Sequence, residues 1–297
     1  MMTKCGFVAI IGKPNSGKST LLNTILGEDL SIVTPKPQTT RKNVLGIYSC
    51  ENIQIIFTDT PGILKPRYEL QRSMMGYVAE TLEATDLVLV IVDAEKFTEI
   101  GRYFHSEVVE SLRSCGKKLI CVLNKTDLFI DKKELLPKIS DLAKSNLFSE
   151  IIPISALKAD SITTLIECIT KNIPESEFHY DDEYLSNQSE RFFVAELIRK
   201  SIFTLFEDEL PYSTEVVIIA FKEREHGKWY ISADIVIDKN SQKRILIGEK
   251  GNKIRLLGAQ AREEIEKHLA KPVYLELFVK VRNNWRNDKA MLRSFGY

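Results

Sequence analysis

The sequence predicts an α/β fold built on a mostly parallel six-stranded sheet, followed by a smaller α+β domain. Three observations carry that reading. Short apolar runs alternate with amphipathic helical patterns through about residue 172, the pattern of parallel strands covered on both faces. A Gly-containing loop, Gly12 to Ser19, stands between the first apolar run and the first helical pattern. After a stretch rich in Pro, Asp, Glu and Tyr, the order changes to helix, two strands, two helices and a strand. Domains are therefore expected over 1–172 and 191–297, with a linker over 173–190 and a tail closing the second.

Each element has its own justification. Phe7–Ile11 is too short for a helix and suits a buried strand; Leu21, Leu22, Ile25 and Leu26 follow at helical spacing. Glu28 to Asn43 holds Pro, Thr and Lys without periodicity, and an exposed, mobile connection is expected there. Val44–Ser49 and Ile53–Thr58 read as strands around a turn at Glu51-Asn52. Helices are then expected over Leu70–Ala84, Glu99–Ser114, Lys132–Ser145 and Ser161–Lys171, with strands Leu87–Val92, Lys118–Leu123 and Ile151–Ile154 between them. Beyond the linker, Val194, Leu197, Ile198, Ile202 and Leu205 share a helical face. Ser213–Lys222 and Lys228–Ile237 alternate as strands, and a Gly-punctuated segment leads to a helix over Asn252–Ala270 and a strand over Val273–Val281.

Composition narrows the function classes. The 297 residues are 44% hydrophobic, enough for filled cores, and 41 basic residues balance 41 acidic ones. From Phe221 to the end, 17 Lys and Arg face 10 Asp and Glu, a net of +7 that leaves −7 for the rest. The C-terminal part is therefore the part suited to a polyanion. Five scattered cysteines, Cys5, Cys50, Cys115, Cys121 and Cys168, suggest neither a disulfide framework nor a zinc site, and read as small core residues in a reducing compartment. His105, His179, His226 and His268 have no ligand spacing. No apolar run approaches 18 residues and no signal peptide precedes the first strand, so a cytoplasmic protein is expected.

In open parallel sheets ligands bind at the carboxyl ends of the strands. Gly12-Lys13-Pro14-Asn15-Ser16-Gly17-Lys18-Ser19, with Thr20 next, suits a phosphate: Gly12 and Gly17 let backbone N–H groups and the positive helix end face one anion. Lys18 can reach β and γ phosphates, and the Ser19 hydroxyl can bind Mg²⁺. After the third strand stands Asp59-Thr60-Pro61-Gly62, weak alone, in which Asp59 can hold the Mg²⁺ shell and Gly62 can approach the γ-phosphate. After the fifth stands Asn124-Lys125-Thr126-Asp127. The Asp127 carboxylate can accept from N1–H and N2–H₂ of guanine, which adenine cannot match; Asn124 can bond at O6/N7 and the Lys125 stem can pack over the base. Ser155-Ala156-Leu157 can offer the Ala156 N–H to guanine O6.

These four signals, in this order on strand ends, resemble the G domain of the Ras-like P-loop GTPases. Asn15 and the run Thr39-Thr40-Arg41 are similar to the TrmE-Era-EngA-like group. The resemblance implies GTP and GDP as ligands, Mg²⁺ held by Ser19, Thr40 and Asp59, and hydrolysis assisted by Lys18, Thr40, Asp59 and Gly62, with Thr39 an alternative to Thr40. It also implies that Asn15 helps hold K⁺ beside the phosphates. Ile63 stands where Ras-like enzymes carry a water-positioning Gln, so hydrolysis must rely on backbone groups and cations, and a slow intrinsic rate accelerated by K⁺ is expected.

The second domain carries Ile245-Leu246-Ile247-Gly248-Glu249-Lys250-Gly251-Asn252-Lys253-Ile254-Arg255. This Gly-x-x-Gly turn, flanked by Lys243 and Arg244, resembles a type II KH domain, whose turn clamps single-stranded nucleotides. The resemblance implies an RNA site at Lys243, Arg244, Ile247, Gly248, Glu249, Lys250, Gly251, Lys253 and Arg255, with Glu249 a departure from the usual basic or neutral turn. Trp285, Arg286, Arg293, Phe295 and Tyr297 in the tail either stack on bases or cap the domain's core.

One G domain followed by one KH domain resembles the Era family over essentially the whole chain. A Der protein would need a second G domain, and MnmE a C-terminal Cys. What this implies is a GTP-hydrolysing switch that binds the single-stranded 3′ end of 16S rRNA and acts in rRNA processing and 30S subunit assembly, as a cytoplasmic monomer. The family's peripheral association with the inner face of the cell membrane has no amphipathic anchor to support it in this sequence. Two rivals stand beside this reading: an RNA-binding chaperone whose nucleotide site is structural, separable by phosphate release, and a P-loop ATPase or kinase, which Asn124-Lys125-x-Asp127 disfavours.

Overall fold

The computed structural model describes residues 3–297. In chain order it contains β1 (Lys4–Gly12), α1 (Lys18–Leu26), β2 (Val44–Cys50), β3 (Ile53–Asp59), α2 (Glu69–Ala84), β4 (Leu87–Asp93), α3 (Ile100–Tyr103), α4 (Ser106–Ser114), β5 (Lys118–Asn124), α5 (Leu135–Lys144), β6 (Glu150–Pro153) and α6 (Ile162–Asn172). There follow α7 (Glu190–Leu205), β7 (Thr214–Lys222), β8 (Trp229–Ile237), α8 (Asn240–Ile247), α9 (Asn252–Leu269), β9 (Val273–Val281) and α10 (Lys289–Ser294).

The first six strands form one sheet in the order β2-β3-β1-β4-β5-β6, parallel except for β2 at the edge. Central strands are buried on both faces: all seven residues of β4, Leu-Val-Leu-Val-Ile-Val-Asp, are inaccessible. Register brings the strand ends together, with Ile10 opposite Asp59, Gly12 opposite Ile91 and Asp93 opposite Asn124. Every loop singled out in the first domain therefore opens on one edge of the sheet.

Two helices expected as continuous are interrupted. The pattern over 99–114 splits into α3 and α4 because Phe104 and His105 adopt extended backbone, which lets the Phe104 ring enter the core. Residues Lys132–Glu134 form a 3₁₀ turn before α5, with the Asp131 side chain accepting from the Lys133 N–H. A larger correction concerns 28–43. Glu28, Asp29, Val33, Pro35 and Pro37 are exposed as expected, but the segment also buries Ser31, Ile32, Thr39, Thr40 and Arg41. The Asn23 side chain anchors its start, donating to the Ser31 carbonyl at 2.8 Å and accepting the Ser31 N–H at 2.8 Å. Composition pointed to solvent, but satisfied backbone groups allow burial. Of the cysteines, Cys5 and Cys121 are core residues, whereas Cys50 is exposed.

The chain divides into two compact units. One comprises the segment ending at Ser31 together with Thr40–Lys65 and Met74–Asn187; the other comprises Ile32–Thr39, Pro66–Ser73 and Gln188–Tyr297. The Pro-, Asp-, Glu- and Tyr-rich stretch runs along the first unit. The Ile47 N–H donates to the Leu185 carbonyl at 2.8 Å, Gln54 donates to the Tyr180 carbonyl at 2.8 Å, and the His179 ring lies 5.2 Å from Phe7.

In the second unit β7, β8 and β9 form a three-stranded sheet, antiparallel then parallel. Val194, Ile198 and Ile202 of α7 and Leu257, Ala261 and Ile265 of α9 pack with Ile231, Ala233 and Ile235 of β8 in its core. The tail caps this core. Trp285 is fully buried, its indole N–H donates to the Ser213 carbonyl at 3.0 Å, and Phe295 meets it edge-on at 5.7 Å. Of the two readings of the tail aromatics, core packing is therefore what the structure shows for Trp285.

Candidate functional site

The loop between β1 and α1 bends through Asn15 at φ 61° and Gly17 at φ 97°. A side chain is excluded at Gly17, where a Cβ would lie 2.1 Å from Asn124 Nδ2, and at Gly12, where it would lie 2.5 Å from the Ile91 carbonyl. Lys18 is buried, and its ammonium donates to the carbonyls of Lys13 at 3.0 Å and Gly12 at 3.3 Å. Burial pushes its pKa down to about 8, with the Asp59 carboxylate opposing the shift. An ammonium held against backbone carbonyls and destabilised by burial is poised for a polyanion.

Beneath it lie Ser19, Thr40 and Asp59. The Ser19 hydroxyl donates to Asp59 Oδ2 at 2.6 Å and lies 3.0 Å from Thr40 Oγ1. Asp59 Oδ1 is buried without a hydrogen bond of normal geometry. Burial raises the Asp59 pKa, offset by Lys18 and by the hydroxyls of Ser19, Ser31 and Thr40. Two hydroxyls and an orphaned carboxylate oxygen form a hard oxygen donor set that fits Mg²⁺ completed by phosphate and water. No group of three His, Cys, Asp or Glu that could hold a metal occurs among the described residues, so this mixed set is the one to consider. It involves Thr40; the Thr39 hydroxyl instead bonds the Lys36 carbonyl at 2.8 Å.

Past Asp59 the chain turns across the loop. Thr60 is buried with its hydroxyl on the Ile10 carbonyl, and a Cβ on Gly62 would lie 2.8 Å from Pro14. Gly62 is thus required for close packing against the phosphate loop itself. Ile63 donates its N–H to the Gly12 carbonyl at 2.9 Å, while its side chain joins Ile11, Val78, Leu82, Val108 and Leu112 around an apolar cavity of about 160 Å³.

At the end of β5 the loops are cross-linked by one carboxamide. Asn124 and the Ala156 N–H, both expected to face a base, bond each other in the ligand-free protein: Asn124 Oδ1 accepts from Ala156 N–H at 2.9 Å, and Asn124 Nδ2 donates to the Ser16 carbonyl at 2.9 Å. This buried carboxamide ties the phosphate loop to the loop after β6. Asp127 accepts from the Ser155 hydroxyl at 2.6 Å, which orients its carboxylate. Leu157 is 73% exposed beside them.

Sequence reasoning missed two residues that build this site. Asp93, at the end of β4, pairs with Lys125 Nζ at 2.7 Å and accepts from the Glu95 N–H, so it sets the path of the Lys125 stem. Its position at the carboxyl end of a parallel strand was the available signal. Thr24, on α1, donates to the Ala156 carbonyl at 2.8 Å, a contact no local pattern announces.

Comparison with known proteins now has a geometry to meet. Residues 7–125 match the family described as a 50S ribosome-binding GTPase, and residues 209–286 match the KH domain family. GTPase Era of Syntrophus aciditrophicus is 45% identical over 301 residues, covering 100% of this chain and 96% of the relative. The chain belongs to the Era family of GTPases. GTPase Era of Yersinia pestis is 38% identical over 296 residues, covering 99% of this chain and 96% of its own length. An Aquifex aeolicus Era variant bound to GDP and aluminium fluoride shares 38% identity and superposes with a TM-score of 0.94 over 99% of each chain. Era in complex with MgGDPNP and nucleotides 1506–1542 of 16S ribosomal RNA gives 0.95 at 38% identity, again over 99% of each.

The Era-family KH turn lies between α8 and α9. Gly248 has φ 71° and ψ 177°, a conformation only glycine tolerates, and a Cβ there would lie 2.7 Å from Lys253 Cγ. Lys250 at φ 49° and Gly251 at φ 79° are left-handed, which starts α9 with an open N-terminus. Lys250, Lys253 and Arg255 are exposed, Lys243 and Ile247 half-buried, and Arg244 and Glu249 exposed. The Lys253 ammonium lies 5.9 Å from the centre of the Phe206 ring.

Proposed function

We propose that this Era-family chain is a GTP-driven switch that binds the single-stranded 3′ end of 16S rRNA and acts in processing of that RNA and assembly of the 30S subunit. The observation that carries it is the meeting of Thr40 Oγ1, Ser19 Oγ and the orphaned Asp59 carboxylate beside Lys18, a set of hard oxygen donors next to a buried cation that suits Mg²⁺ and a polyphosphate. The relative's complex with MgGDPNP and a 16S fragment supports both ligands.

In this reading Lys18 and backbone N–H groups of the Gly12–Thr20 loop, Pro14 having none, hold the polyphosphate, and Asp127, with Lys125 and the loop at Ser155–Leu157, holds guanine. Mg²⁺, when bound at Ser19, Thr40 and Asp59, supplies positive charge to the phosphate oxygens. Gly62, seated on Pro14, offers a backbone N–H to the γ-phosphate. Ile63 can orient no water, so the attacking water relies on backbone groups near Thr40 and Gly62, and turnover is slow. Asn15 helps hold K⁺, whose charge serves where an arginine finger serves in other GTPases. Lys243, Lys250, Lys253 and Arg255 hold the RNA backbone at the Gly248–Gly251 turn.

The chain works as a cytoplasmic monomer; among the described residues no helix is long and apolar enough to cross a membrane. Phosphate release from GTP and from ATP, each in K⁺ and in Na⁺ salts, tests the reading. Preference for GTP and acceleration by K⁺ are expected; equal turnover of ATP would overturn it.

A further inference from the structure

The three-stranded sheet of the second unit has two faces, and helices cover one of them. Alternate residues of its strands, Ile231 and Ile235 of β8 and Val273 and Leu277 of β9 among them, pack with α7, α8 and α9. The residues between them project from the other face, where register sets Lys222 opposite Tyr230, Tyr230 opposite Tyr274, and Asp234 opposite Phe278. A sheet face turned to water is ordinarily polar. Here Tyr274 is 53% exposed and Phe278 47% exposed.

The aromatic groups on this face are fixed in place. The Tyr230 and Tyr274 rings lie 6.1 Å apart and only 18° from parallel. One carboxylate holds both: the Tyr230 hydroxyl donates to Glu276 Oε2 at 2.7 Å and the Tyr274 hydroxyl to Oε1 at 3.3 Å. Glu276 is two residues along β9 from Tyr274, so the rings lean along the strands, and a ligand that stacks on them has little side-chain freedom left to remove. Cations flank the rings. Lys222 Nζ lies 5.8 Å from the centre of the Tyr230 ring and Lys280 Nζ 5.8 Å from that of Phe278. Both lysines are exposed, and neither forms an ion pair among the described residues. The acids of this face are engaged or set back: Glu276 holds the two tyrosines, Glu215 accepts from the Tyr297 hydroxyl at 2.7 Å, and Asp234 is half-buried.

We propose that this outer face of the β7-β8-β9 sheet is a second binding site for single-stranded RNA, with bases stacked on Tyr230, Tyr274 and Phe278 and phosphates against Lys222 and Lys280. Ordered aromatic faces between unpaired ammoniums suit planar bases joined by anions, and a duplex keeps the faces of its bases to itself. Tyr274 to Phe278 covers about 13 Å of strand, room for about two or three bases. The Gly248–Gly251 turn joins α8 to α9 on the helix side of the sheet, so the two sites are separate and RNA held at the turn leaves the aromatic face open. The proposal does not depend on the turn being an RNA site.

The test is a titration of the full chain with a labelled single-stranded RNA of mixed sequence, about eight nucleotides long, with photo-crosslinking to locate it. Wild type is expected to bind two oligonucleotides per chain, with crosslinks in the β9 peptide as well as at the α8–α9 turn. Tyr274→Ala and Phe278→Ala, both at exposed positions, should each weaken the second site by about tenfold and remove the β9 crosslinks while those at the turn persist. Lys280→Met should lower the slope of log affinity against log salt at that site by about 0.7. Gly248→Ala should do the reverse, weakening the turn and sparing β9. Crosslinks confined to the turn, or binding that neither aromatic variant changes, overturn the aromatic site and leave the turn standing. Self-association in sedimentation that Phe278→Ala abolishes, with RNA binding unaltered, gives the face to a second copy of the chain and overturns the proposal as well. Crosslinks at β9 alone would support it and count against the turn.

Discussion

The buried Lys18 makes a prediction that can be worked through in numbers. In the ligand-free protein its pKa is about 8, lowered from 10.5 by burial. A polyphosphate placed against the ammonium should restore the charged form. At pH 8.5 a group with that pKa is about one-quarter protonated, so binding GDP should take up about 0.8 proton, against about 0.1 at pH 7. Isothermal titration calorimetry in two buffers of different ionisation enthalpy reads this number directly, and the nucleotide's own phosphates are fully ionised at the higher pH. The sign for stability follows. Because the folded state disfavours the ammonium, this group costs about 3 kcal/mol below pH 8, and the cost is relieved as pH rises from 8 toward 10.5. Ligand-free protein should therefore lose less stability on alkaline titration than nucleotide-bound protein. Equal proton uptake at the two pH values, or uptake that survives in Lys18→Met, would refute the assignment of Lys18 to the phosphates.

Other expectations are simpler to state. Asp127→Ala should remove the preference for GTP over ATP, a change of about 10²-fold or more in competition binding, and Ser155→Ala, which frees the Asp127 carboxylate, should lower GTP affinity by about fivefold. Asn124→Ala should destabilise the protein without any nucleotide present, by about 2–4 kcal/mol, since the Ser16 carbonyl and the Ala156 N–H lose their partner. An unchanged melting temperature in the ligand-free state would overturn this bridging role for Asn124. Gly248→Ala meets both a forbidden backbone conformation and Lys253, and should lower oligonucleotide affinity by about tenfold or more in an anisotropy titration.

Much of the candidate site was legible because its logic is local. A phosphate loop needs a strand, two glycines, a lysine and a hydroxyl at set spacing, and a KH turn needs two glycines between helices with cations around them. Backbone geometry demands those residues in consecutive positions, so one dimension suffices to read them. The strands were legible for a similar reason, since apolar runs as short as Leu87–Val92 are buried on both faces and admit little else.

What escaped the sequence is long-range. That the Asn124 carboxamide spans from Ser16 to Ala156 depends on three loops meeting at one sheet edge. Asp93 became a partner of Lys125 only through the register of β4 with β5. The segment 28–43 read as a solvated connection, because composition reports whether a chain can stay in water but not whether distant cations such as Arg199 will capture its carbonyls.

The amino-acid order by itself settled which chemistry this chain carries: the loops, their residues and their sequence along two successive domains, since covalent spacing dictates where N–H groups, hydroxyls and carboxylates can gather within a turn. Tertiary structure alone decided which of those groups remain available to a ligand and which are spent holding loops together, because a hydrogen bond between residues a hundred positions apart exists only once the sheet has set their separation.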